Sequence, residues 1–240
     1  MPINIVNITT LILPPVSHYY ILTMVIPAIL EKTPQHFAEK IAKIQTLRQV
    51  KTVQVDFADG QFVENETLSI HDFAEIGHLS KKLNWEAHLM VEHPSNFADY
   101  QTAGFSKIII HYEAFVGEEG LEEALEAITK LGLIPAIAIN PATPVTVLRY
   151  FTDTIKHFTL MSVFPGKQGN SFIPSTFERL VELRSLAPNA TIEVDGGVNA
   201  GNAGRLMASG ADNLAVGSAL FETENIKTNF ENIESAGTTI

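Results

Sequence analysis

Two apolar runs in this 240-residue sequence end on an aspartate close to glycine: Gln54-Val55-Asp56-Phe57-Ala58-Asp59-Gly60 and Glu193-Val194-Asp195-Gly196-Gly197. Two carboxylates brought to one place can pass a proton across a substrate, one acting as base and the other as acid. In the first run, strand alternation sets Gln54, Asp56 and Ala58 on one face, so Asp56 points inward when Val55 points outward. A plainer reading competes with this, in which Asp56 or Asp59 only caps the turn before Gly60. His88, in Glu86-Ala87-His88-Leu89-Met90-Val91, shares a face with Met90. Alone it reads as a hydrogen-bonded core histidine, and it gains a chemical role only with partners.

Three further segments have the character of phosphate loops: Pro165-Gly166-Lys167-Gln168-Gly169, Gly196-Gly197 and Gly217-Ser218. Glycine lets the backbone approach a ligand closely, and unpaired N–H groups at a helix start converge on an anion. Each loop taken singly is also an ordinary turn. Lys167 offers a compact positive charge to a phosphate, or is a solvated loop lysine.

These residues need elements to position them. From Met24 onward, β-branched or apolar runs alternate with segments of helical period, the mark of βα units and a parallel sheet. Strands are expected at Val25–Leu30, Thr52–Phe57, Trp85–Val91, Lys107–His111, Ile134–Ile139, His157–Val163, Thr191–Val194 and Asn213–Val216. Helices are expected at Pro34–Leu47, Pro94–Ala103, Glu118–Leu131, Pro174–Leu186 and Ala200–Ser209, several opened by proline. Eight units in one domain close into a (β/α)8 barrel, with an open doubly wound sheet as the competing fold. In such a barrel the strand ends build the site, and both aspartates and all three glycine loops fall there. His111 ends the fourth strand and is able to line the mouth, whereas His36, His71, His78, His93 and His157 read as helix, loop or strand-edge residues.

Residues 1–23 read as an N-terminal extension, with Met24 as an alternative start to a barrel over 24–240. No Lys or Arg precedes Lys32, and Pro14 and Pro15 interrupt the early apolar stretch, against a signal peptide or membrane span. The formal net charge is -11, with 16 Lys plus Arg against 27 Asp plus Glu. Such a field disfavours nucleic acid and anionic membranes as partners, while a phosphate can still be held by local backbone N–H groups. The absence of cysteine excludes a disulfide, a thiolate nucleophile and a zinc–cysteine site. A cytoplasmic location is the default expectation.

The chain resembles the ribulose-phosphate 3-epimerase family and its ketose-phosphate relatives from Ile26 to about Phe221. The resemblance is carried by Ile26-Pro27-Ala28-Ile29-Leu30, Val55-Asp56-Phe57-Ala58-Asp59-Gly60-Gln61-Phe62-Val63, His88-Leu89-Met90-Val91 and Asn140-Pro141-Ala142-Thr143. Met161-Ser162-Val163-Phe164-Pro165-Gly166, Ser171-Phe172-Ile173-Pro174, Val194-Asp195-Gly196-Gly197 and Val216-Gly217-Ser218 complete it. It implies an isomerase that inverts C3 of a small phosphorylated ketose of the pentose phosphate class, with Asp56 and Asp195 as the proton-transfer pair. It implies a divalent metal (Zn, Mn, Mg, Co or Fe) on Asp56, His88 and Asp195, substrate contacts from His88 and the glycine loops, and a homo-oligomer.

The sequence departs from the family where a histidine ligand usually stands two residues before the first aspartate. Gln54 occupies that place, and an amide oxygen there favours Mg²⁺ or Mn²⁺ over a zinc-like ion. Ala28, Ala58 and Phe164 replace the family's serine, methionine and asparagine. These changes sustain a second reading, a catalytically silent phosphosugar-binding barrel that has lost full metal coordination. A barrel decarboxylase or lyase with an Asp-x-Lys-x-x-Asp pattern is disfavoured, because Ala58 stands where its lysine is required.

Overall fold

The computed structural model describes residues 24–76, 79–165, 169–221 and 225–238; the expected extension 1–23 and loop residues Gly166, Lys167 and Gln168 lie outside them. Eight parallel strands close into a barrel in chain order. They are β1 (Met24–Ile29), β2 (Thr52–Ala58), β3 (Asn84–Met90), β4 (Lys107–His111), β5 (Ile134–Ile139), β6 (His157–Met161), β7 (Thr191–Asp195) and β8 (Asn213–Val216). The closing pair, β1 with β8, sets Ile26 beside Ala215. The barrel is therefore a single domain, and the open doubly wound alternative does not hold. Around it lie α1 (Pro34–Ile44), α2 (Phe73–Ile76), α3 (Phe97–Ala103), α4 (Glu118–Lys130), α5 (Thr176–Leu186), α6 (Ala203–Ala208), α7 (Ser218–Phe221) and α8 (Ile226–Thr238). No helix among the described residues is long and apolar enough to cross a membrane.

Several expected boundaries move. Pro94 does not open α3, because Asn96 takes a left-handed φ of 55° and the helix starts at Phe97. Pro174 likewise lies outside α5, which begins at Thr176. Pro34 does open α1, with Thr33 accepting from the His36 N–H at 3.2 Å as its cap. The connection after β5 is a 3-10 turn over Val145–Phe151, and α7 and α8 follow β8.

Alternation divides the buried residues into two cores. In β4, Ile108 and Ile110 join the large layer between sheet and helices, together with Leu121, Leu125 and Ile128 from the spaced inner face of α4. Ile109 faces the other way and packs with Ala136 and Ala138 in a small separate core inside the barrel. The residues of the inner face are thus two apart along each strand.

That inner face also holds a buried charged group. Lys107 Nζ lies 3.0 Å from Glu86 Oε1 and 3.4 Å from Glu193 Oε2, and the Thr159 hydroxyl donates to Glu193 at 3.3 Å. Glu86 and Glu193 precede His88 and Asp195 by two residues, so this group sits one pleat below them. Burial and the facing Glu193 push the Glu86 carboxyl up to about 8 despite Lys107. Removing one partner of a buried ion cluster leaves charge uncompensated, which typically costs about 3–5 kcal/mol. Lys107→Met is expected to lose stability on that scale in alkaline buffer and less under acid, where Glu86 takes up a proton. Urea unfolding at both pH values checks this, and equal stability of variant and parent would refute it.

Candidate functional site

Four polar side chains converge at the C-terminal end of the barrel. Gln54 and Asp56 rise two residues apart on β2, and the register of β2 against β3 sets Asp56 beside His88. Asp195 arrives from the end of β7. The fully buried Gln54 donates through Nε2 to Asp56 Oδ1 at 2.8 Å and to Asp195 Oδ2 at 2.7 Å. His88 Nδ1 lies 3.2 Å from Asp56 Oδ1 and 3.1 Å from Asp195 Oδ2. The two aspartates come from strands three apart around the ring, not from opposite sides, and meet over one amide and one imidazole.

Burial shapes how these groups titrate. Desolvation disfavours the charged His88 ring, but its hydrogen bonds and charge contacts with Asp195 and Asp56 outweigh this and push it up to about 10. Burial, with the charge of Asp195 beside it, raises Asp56 above the usual carboxylate range against the bonds from His88 and Gln54.

The donor set fits a divalent cation. Single ligand atoms of Asp56, His88 and Asp195 lie within 4.8 Å of one another. Gln54 Oε1 is buried without a hydrogen-bond partner while its NH2 spans both carboxylates. A half-turn of the amide exchanges two atoms of nearly equal size. It would turn the orphaned oxygen toward the carboxylates, an arrangement that a cation between them makes favourable. Three oxygens and one nitrogen are a hard donor set, suited to Mg²⁺ or Mn²⁺.

Above this floor is a cleft bordered by Ala28, Met90, Met161 and Val163, and on one side by Gly169, Gly196, Gly197, Gly217 and Ser218. The glycine turns after β7 and β8 therefore open on the same space as the aspartates. Gly196 (φ 107°) and Gly197 (φ 62°) hold conformations that side chains rarely adopt. Ser162, fully buried after β6, fixes this turn through the Asp195 carbonyl at 3.0 Å and the Gly196 carbonyl. Asp59 is the turn residue: its Oδ1 accepts from the N–H groups of Gln61 and Phe62, each at 2.9 Å. The capping reading thus applies to Asp59 and not to Asp56.

Sequence reasoning gave little weight to a second line of polar residues. His111 is fully buried, with Nε2 2.9 Å from His88 Nε2. Behind it stand Glu113, which receives the Asn140 N–H at 2.8 Å and the Thr143 hydroxyl, and Arg179 on α5. Burial and the neighbouring His88 charge lower His111 below an ordinary histidine, against the pull of Glu113. Burial works against the Glu113 charge, but bonds from His111, Thr143 and Asn140 lower its pKa on balance. Their signal in the sequence was position, since His111 ends β4, Glu113 follows it, and Asn140 and Thr143 follow β5.

Comparison with known proteins agrees with this architecture. The model of the ribulose-phosphate 3 epimerase family matches residues 24–221. The ribulose-phosphate 3-epimerase of Escherichia coli strain K12 is 32% identical over 217 residues, spanning 88% of this chain and 95% of that protein. The protein of the same name from Chlamydia pneumoniae is 34% identical over 181 residues, spanning 72% and 77%. Among solved structures, 3-hexulose-6-phosphate synthase from Salmonella typhimurium aligns with a TM-score of 0.66 at 13% identity, covering 90% of this chain and 98% of that one. That last likeness is one of fold.

Two outcomes follow from the geometry. A Cβ on Gly196 would stand 2.3 Å from Val163 Cγ2 at a φ of 107°, so Gly196→Ala is expected to lose at least about 1–3 kcal/mol from backbone strain alone. Chemical denaturation reads this loss, and an unchanged midpoint would contradict it. His88 has a raised folded pKa, so its charge contributes stability in full below about 6.5, the unfolded value. That contribution is lost as pH rises through about 10. After chelation, stability measured from neutral to alkaline pH should fall more steeply in the parent than in His88→Gln; parallel curves would sink the assignment.

Proposed function

This chain belongs to the ribulose-phosphate 3-epimerase family, and we propose that it interconverts ribulose 5-phosphate and xylulose 5-phosphate by inverting C3 between Asp56 and Asp195. One observation carries the reading: two buried carboxylates converge on His88 Nδ1 and the Gln54 amide at the floor of a glycine-walled cleft. Proton abstraction beside a carbonyl needs a base on one face of C3 and an acid on the other.

The proposed cycle starts with one aspartate ionised and the other protonated. The ionised carboxylate takes the C3 proton, and the C–H electron pair moves into the C2–C3 bond as the C2 carbonyl becomes an enediolate. The protonated aspartate then delivers its proton to C3 from the opposite face, and the carbonyl re-forms. Turnover leaves the two aspartates with exchanged protonation states, which suits a reversible reaction. A divalent cation held by Asp56, His88, Asp195 and the rotated amide of Gln54 would supply Lewis-acid stabilisation of the enediolate oxygens.

The phosphate is proposed to lie against Gly196, Gly197, Gly217 and Ser218, whose turns line the same cleft as the aspartates. Gly169 borders it, and Gly166, Lys167 and Gln168 belong to the same loop in sequence. His88 is proposed to serve both the cation and the substrate oxygens. Met90, Met161 and Val163 supply an apolar wall that limits water around C3.

The test is epimerisation of ribulose 5-phosphate by protein stripped with chelator and resupplied separately with Mn²⁺, Mg²⁺, Zn²⁺, Co²⁺ or Fe²⁺. Turnover is expected to depend on the added ion and to fall by about 10²–10⁴-fold in Asp56→Asn and in Asp195→Asn. Phosphosugar binding without turnover for any ion would replace this reading with a silent binding barrel.

A further inference from the structure

A line of hydrogen bonds leads outward from His88, away from the aspartates. The His88 and His111 rings are nearly parallel, at 20° with centroids 5.0 Å apart, and their Nε2 atoms meet at 2.9 Å. His111 Nδ1 faces Glu113 Oε2 at 3.4 Å, a long contact, but this oxygen is the partner of that nitrogen among the described residues. The other oxygen, Oε1, accepts from the Asn140 N–H at 2.8 Å and from the Thr143 hydroxyl. Arg179 holds these two residues in place by donating to the Asn140 and Thr143 carbonyls at 2.8 and 2.9 Å. Phe62 covers His111 at 4.8 Å between centroids. Neither histidine is exposed to solvent, so the polarity of the line is set within the protein.

That polarity runs one way. An ionised Glu113 only accepts, so His111 carries its proton on Nδ1. Its Nε2 then presents a lone pair, and the N–H between the rings must belong to His88 Nε2. A neutral His88 so held has its lone pair on Nδ1, the atom that faces Asp56 and Asp195. The reverse arrangement would set the His111 Nδ1 lone pair against a carboxylate oxygen.

We propose that Glu113 is a positioning residue which, through His111, holds His88 in the Nε2–H tautomer, leaving the Nδ1 lone pair free to ligate the divalent cation. This rests on the proposed reading of Asp56, His88 and Asp195 as metal ligands. Outer hydrogen-bond partners of a ligating histidine fix its tautomer and ring orientation, and their loss typically weakens metal binding by about 10–100-fold.

The test combines tautomer and metal affinity. In protein labelled with ¹⁵N-histidine and stripped with chelator, long-range ¹H–¹⁵N correlation spectra distinguish protonated from bare ring nitrogens. The parent should show His111 protonated at Nδ1 and bare at Nε2. In Glu113→Gln the amide oxygen is retained by the Asn140 N–H and the Thr143 hydroxyl, which turns the NH2 toward His111 and reverses its tautomer. Mn²⁺ binding measured by calorimetry should then weaken by about 10–100-fold. His111→Phe keeps an aromatic ring between Phe62 and His88 but removes the acceptor. It should weaken Mn²⁺ binding as well, and it decides the matter if Glu113→Gln does not fold. A parent His111 bare at Nδ1, or Mn²⁺ affinity equal to the parent in the folded variants, overturns the proposal. A parent with the expected His111 tautomer that binds no Mn²⁺ instead overturns the metal-site reading on which the proposal depends.

Discussion

Two carboxylates buried within a few ångströms of each other repel, and burial removes the water that would otherwise screen them. The site depends on how Asp56 and Asp195 are kept together despite this. The chain's own answer is local: an amide donates to both, and an imidazole stands between them with its pKa raised by their charge. Both supporting groups project from neighbouring strands whose register is fixed by the barrel ladder. A strand slipped by one residue would send Asp56 and His88 into the layer beneath the helices. Closing the ring is therefore a condition for the chemistry as much as for the fold.

Gln54 occupies an unusual position in this balance. A histidine there would present a ring nitrogen as donor or acceptor according to its tautomer. An amide carries both functions at once, and a rotation about one bond selects between them. With NH2 inward it donates a hydrogen bond to each carboxylate; with oxygen inward it would face a cation held between them as a further ligand. The orphaned Gln54 Oε1 is the visible cost of the first arrangement.

Much of this was legible in the sequence. The eight strands could be read because each is a short apolar run bounded by turn residues, and Asp56, His88 and Asp195 stood at or near strand ends, where a barrel builds its site. Helix starts were less legible: Pro94 and Pro174 suggested first turns, yet Asn96 adopts a left-handed conformation and α5 begins two residues after its proline. The convergence of Gln54 with Asp195, 141 residues away, depends on closure and strand tilt, which no local window contains. Arg179 was opaque for a related reason. Its contacts here are bonds donated to the Asn140 and Thr143 carbonyls of another loop, which carry no side-chain signature.

The inside of the barrel has one further consequence. Ile109, level with His88 in the strand register, packs with Ala136 and Ala138 inside the barrel, and one pleat below His88 and Asp195 the Lys107 group fills the inner face. The barrel interior beneath the cleft is thus occupied by side chains, and Asp56 and Asp195 line the cleft above them. Under the proposed mechanism, a sugar seated there would stand between the two aspartates and bulk water, and a proton lifted from C3 would be sheltered from exchange while the cleft stays filled.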